Sequence, residues 1–97
     1  MRTDELKQHI EETGESAFEI LSDALPKVSA KFYRLEKSMA KLLDEVREHF
    51  PEAIFYTSGG DGFALSLGDT HSGRGWQPNN ELVAVFATKL HVAGGDW

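Results

Sequence analysis

The chain has 97 residues, no cysteine, a net charge of −6, and 40% hydrophobic and 10% aromatic residues; this is the composition of one small globular domain, too apolar for a disordered tail. Without cysteine there is no disulfide framework, thiolate metal site or thiol nucleophile, and the acidic balance speaks against direct nucleic-acid binding, which needs excess Lys and Arg. No apolar run approaches the roughly 18 residues of a membrane span, and no apolar stretch follows Met1-Arg2-Thr3-Asp4-Glu5 as in a signal peptide, so a cytoplasmic protein with no membrane contact is expected.

The charge is uneven. Residues 2–25 sum to −5, residues 26–42 to +4, and residues 43–97 to −5. In chain order, Thr3 is a suitable helix cap, with Asp4 and Glu5 opposing the positive end of the dipole. Thr13-Gly14 marks a break. From there Phe18, Leu21, Leu25, Val28, Phe32, Leu35, Met39, Leu42 and Val46 recur in steps of three and four, a heptad-like seam. Pro26 falls on its outer face and implies either a kink or a new helix. Small and apolar residues at the flanking positions, among them Ala24, Ser29 and Leu43, widen the stripe beyond a narrow two-stranded coil. Pro51 is the expected stop.

The period then changes. Residues 53–57 are strand formers, Ser58-Gly59-Gly60-Asp61-Gly62 is turn chemistry, and Phe63, Leu65 and Leu67 alternate with Ala64 and Ser66 over 63–67, which reads as a β-hairpin. Residues 68–80 are a loop of turn formers holding Trp76 and Pro78. Residues 82–92 suit a strand, because Val83, Val85 and Val92 are β-branched, although a helix capped by Asn80 and ended by Gly94 is the competing reading. Gly94-Gly95-Asp96-Trp97 is expected to turn, with Trp97 pinning the C-terminus.

Two segments resemble motifs of known families. Thr57-Ser58-Gly59-Gly60-Asp61-Gly62-Phe63-Ala64-Leu65 resembles the Gly-Gly-Asp-Glu-Phe hairpin of diguanylate cyclases, whose acidic residues help to hold metal and nucleotide; Gly62 stands here at the glutamate position, and the upstream metal-binding aspartate motif is missing. Leu67-Gly68-Asp69-Thr70-His71-Ser72-Gly73 resembles the first metal motif of metallophosphoesterases, which implies Asp69 and His71 as ligands of one ion. The later Asn-His and Gly-His motifs that complete a two-metal site are absent. Both segments also read simply as turns.

The remaining candidates are surface features. Lys27, Arg34 and Lys41 are spaced by seven and form a basic stripe off the seam, either a docking face for an acidic partner or a solvated face paired with the chain's own acidic first helix. Arg74 and Trp76 put a cation and an aromatic on a loop, a combination common in interface hot spots; the competing reading packs Trp76 over the sheet edge. Glu11, Glu12, Glu15, Glu19 and Asp23 could imitate nucleic acid. His9 and His49 read as surface or boundary residues. No Gly-x-Ser-x-Gly elbow or Walker-type phosphate loop occurs.

The expectation is a single α+β domain over 1–97, helical in 1–50 and β in 51–97, with a long amphipathic helix kinked or broken at Pro26 and packed on a three-stranded antiparallel sheet. A straight seam of 29 residues would run about 43 Å. That is long for one small monomer to cover, so a homodimer is expected through Phe18, Leu21, Leu25, Val28, Phe32, Leu35, Met39 and Leu42. The expected function is a non-enzymatic interaction or regulatory protein that binds itself and another protein, with Lys27, Arg34, Lys41, Arg74 and Trp76 in contact with that partner and no cofactor. The alternatives are a metal- or ligand-binding domain or enzyme using the 68–80 loop, with Asp69, His71 and His91 as donors, and an acidic nucleic-acid-mimicking inhibitor.

Overall fold

The computed structural model describes residues 1–58 and 62–93, Ser58 by its backbone alone. The chain is α+β, with three helices, α1 (Thr3–Thr13), α2 (Ala17–Ala24) and α3 (Val28–Arg47), followed by β1 (Ile54–Ser58), β2 (Gly62–Ser66), β3 (His71–Ser72), β4 (Gln77–Pro78) and β5 (Val83–Phe86). Two compact units divide it, Met1–Ser38 and Met39–Trp97.

In the first unit the helix boundaries follow local chemistry. Arg2, not Thr3, takes the cap position of α1, and its backbone N–H is met by Glu5 Oε1 at 3.5 Å. Gly14 ends the helix at φ 74°, where its N–H returns to the Ile10 carbonyl at 2.9 Å. A side chain there would be strained. Ser16 caps α2 by accepting the Glu19 N–H at 3.1 Å, in a Ser-x-x-Glu spacing typical of helix starts. Pro26 produces a break, not a kink. Leu25 leaves helical geometry at φ −140°, ψ 81°, and α3 restarts when the Lys31 N–H reaches the Lys27 carbonyl at 3.1 Å. The seam is therefore two pieces, one on α2 and one on α3, and the single straight rod of about 43 Å does not form. Its α3 portion runs about 30 Å.

In the second unit β2 is central, pairing antiparallel with β1 and β5 in the order β1-β2-β5. The hairpin falls one residue from its expected bounds on each strand, and its turn, residues 59–61, lies outside the described residues, as does the expected turn at 94–97. The third strand is shorter than the predicted 82–92. Asn80–Leu82 form a 3-10 turn, so the helical tendency of Asn80 survives for three residues only. β5 then ends at Phe86, because it pairs with β2 from Ser66 back to Ala64, and the Ala87 N–H bond to the Phe63 carbonyl at 2.8 Å is the last before β2 runs out.

The pleat decides where the core sits. Gly62, Ala64 and Ser66 of β2 are buried, while Phe63 and Leu65 on the opposite face are half-buried. Residues 67–82 return against the Ser66 end of the small-residue face. The Ser66 hydroxyl donates to the Gly68 carbonyl at 2.8 Å, and the Leu67 N–H donates to the Leu82 carbonyl at 2.9 Å. A Cβ on Gly68 would stand 3.2 Å from Leu82 Cδ1, so the loop lies close. Ala53, fully buried, joins α3 to β1, and its carbonyl accepts from Arg47 Nε at 2.8 Å.

Ala64, paired with Tyr56 and Phe86 on its two sides, is 2% exposed. Ala64→Leu is expected to overpack this position and lower stability by about 1–3 kcal/mol in urea unfolding.

Candidate functional site

Three surfaces gather the predicted residues. The first is the basic face of α3. Lys27 sits in the turn before α3, and Arg34 and Lys41 follow along it, all exposed. Among the described residues the one ion pair within 4.0 Å is His9–Glu15, at 3.2 Å. None of the five basic residues over 27–41 forms an ion pair among the described residues. His9 does acquire a partner that sequence spacing hides. Glu15 is six residues away, and the left-handed turn at Gly14 brings its carboxylate back.

The second surface is the loop after β2. It is not plain loop but a short ribbon of β3 against β4. Asn79 clips it. Its side-chain amide donates to the Asp69 carbonyl at 2.8 Å and accepts from the Ser72 hydroxyl at 3.0 Å, and its backbone N–H donates to the Thr70 carbonyl at 2.8 Å. Trp76 does not pack over the sheet edge. It is 71% exposed, and it stacks on His71 with ring centroids 6.0 Å apart and planes at 6°. It adopts φ 53° directly after Gly75, which like Gly73 is also at positive φ, so the tight ribbon turn carries its indole out to water. His71 in turn meets Tyr56 edge-on at 6.4 Å, and its Nδ1 lies 3.1 Å from Thr70 Oγ1. His71 is thus held between two aromatic rings, while Asp69 is exposed and engages the ribbon through its backbone carbonyl. Among the described residues no three His, Asp or Glu side chains come together as a metal donor set, with His71, Asp69 and His91 included. Trp97, expected to pin the C-terminus, lies outside the described residues.

The third surface was missed by sequence reasoning. Phe55, Phe63, Leu65 and Val85 share the open face of the sheet, opposite Leu65 or along the strand from it, with Phe55 and Phe63 stacked at 5.3 Å. With Met39 and Leu42 of α3 they line an apolar cleft of about 300 Å³. Val85 is 61% exposed and Leu42 47%. The signal was present in Gly62-Phe63-Ala64-Leu65-Ser66, where small and large residues alternate strictly. Such a strand can bury its small side under a nearby loop and keep its large side for something else.

No family model, curated protein or solved structure matches this chain. Among the described residues no helix is long and apolar enough to cross a membrane. The geometry of the three surfaces therefore carries the functional argument.

The two features of the ribbon separate by mutation. Asn79→Ala removes both side-chain hydrogen bonds and is expected to cost about 1–2 kcal/mol in urea unfolding. Trp76→Ala removes a solvent-facing ring and is expected to cost less than about 1 kcal/mol.

Proposed function

We propose that this is a non-enzymatic interaction protein that works as a homodimer and, through exposed basic and aromatic residues, contacts a second protein. The observation that carries the reading is the uncovered apolar seam. No side chain of α1, α2 or α3 is buried. Phe18, Phe32 and Leu35 are 60%, 63% and 66% exposed. Covering a side chain of this kind stabilises by about 1.5–3 kcal/mol, and a contiguous apolar surface of this sort marks an interaction site. The seam is matched by the open cleft on the sheet, so both units hold apolar surface for a partner.

Lys27, Arg34 and Lys41 lie off the seam and suit an acidic partner protein, with Arg74 and Trp76 as a second contact. The acidic balance of the chain supports a protein partner over direct nucleic-acid binding. No compartment beyond the absence of a membrane-spanning helix enters the argument.

Sedimentation equilibrium over a wide concentration range is expected to give twice the chain mass, with Phe32→Asp shifting the protein to the mass of a single chain. A wild-type mass equal to one chain at every concentration would contradict the homodimer. Reversal of Lys27, Arg34 and Lys41 to Glu is expected to leave the mass unchanged and to remove any protein captured from native lysate; capture that survives the reversal would place the second contact elsewhere.

A further inference from the structure

The basic side of α3 has a shape as well as a charge. Lys31, Arg34, Leu35 and Ser38 line a surface groove of about 350 Å³. Their spacing is i, i+3, i+4 and i+7. Four positions so spaced form the hole that receives one side chain of a facing helix. An extended segment offers no matching ridge, because its side chains alternate between two sides. All four residues are exposed. The Ser38 hydroxyl donates to the Arg34 carbonyl at 3.1 Å, so it is satisfied within its own helix and needs no polar group from an incoming side chain. The hole therefore suits an apolar side chain against Leu35, with two cations on its rim.

Charge decides which helix fits. Around α3, Lys31, Arg34, Lys37 and Lys41 fall within an arc of about 100°, and Lys27 continues the run in the turn before the helix. Glu36, the one acid among residues 27–41, is turned about 160° from Arg34. The flank of the hole is thus of one sign, and none of its cations forms an ion pair among the described residues. The run is also short. Asp44 and Glu45 follow on the same arc, so the cations of the helix span about 15 Å from Lys31 to Lys41. A nucleic acid carries its charge past both ends of such a run, onto those acids. A short acidic helix does not, and α3 of a second copy is itself basic here.

Resting on the reading of this surface as a contact for an acidic protein, we infer that the partner presents an acidic amphipathic helix. One apolar side chain of that helix seats in the hole formed by Lys31, Arg34, Leu35 and Ser38, and its carboxylates run beside the cations of the stripe. The centre of the hole is turned about 115° from Phe32, so each protomer of a dimer joined along the seam keeps its own.

Fluorescence anisotropy with the full chain and a labelled synthetic peptide tests this. The peptide is a helix of about four turns, with leucine along one face and glutamate beside it; its twin carries lysine for each glutamate. The glutamate peptide is expected to bind and the lysine twin not to bind. Ser38→Phe fills the hole and leaves the charge unchanged, and it is expected to weaken binding at least about tenfold, as is Lys31→Glu combined with Arg34→Glu. Arg74→Glu is expected to leave the affinity unchanged. Binding that survives Ser38→Phe would mean attraction by charge alone and overturn the inference, as would equal binding of the lysine twin. Loss on Arg74→Glu instead would move the contact to the ribbon, overturning the inference while leaving an interaction protein. A single-stranded oligodeoxynucleotide of the same charge that binds more tightly than the peptide would make the ligand a nucleic acid and overturn it. No peptide binding, with a protein still captured from lysate and lost on reversal of Lys27, Arg34 and Lys41, would overturn the helix alone; no binding and no capture would overturn the acidic-partner reading as well.

Discussion

Successive side chains of a β-strand point to opposite faces, and in β2 this places Gly62, Ala64 and Ser66 on one side and Phe63 and Leu65 on the other. The small side can be approached closely by backbone. Residues 67–82 use that access, held by the Ser66 hydroxyl and by the Leu67 bond to Leu82. Phe55, Phe63, Leu65 and Val85 lie together on the other side, where Met39 and Leu42 of α3 join them in lining the cleft.

The helices meet the same condition by another route. Each is amphipathic, yet none buries a side chain. Short helices derive most of their stability from packing of the apolar face, so an uncovered seam calls for a partner surface.

Much of the fold was legible because it rests on local signals. Pro26 and Pro51 bound α3, and the period change near residue 53 marks the passage to strands. What escaped depends on contacts that local pattern does not encode. The alternation of Phe63 and Leu65 with Ala64 and Ser66 marks a strand but does not encode which of its faces is covered. The ribbon was read as loop because a two-residue strand has no period, and its organising residue, Asn79, acts on Asp69 ten positions earlier. The early end of β5 reflects the length of its neighbour, not its own β-branched run. Asp69 and His71 looked like ligands from their spacing alone; the fold turns His71 into an aromatic stack and leaves Asp69 on the surface.

The central claim is that the apolar seam of α3 is covered by a second copy. Amide hydrogen exchange followed across protein concentration reads that directly. The account predicts that protection of residues 28–47 rises as concentration passes through the association midpoint, while α1 exchanges rapidly throughout. Protection of α3 that is independent of concentration would contradict it.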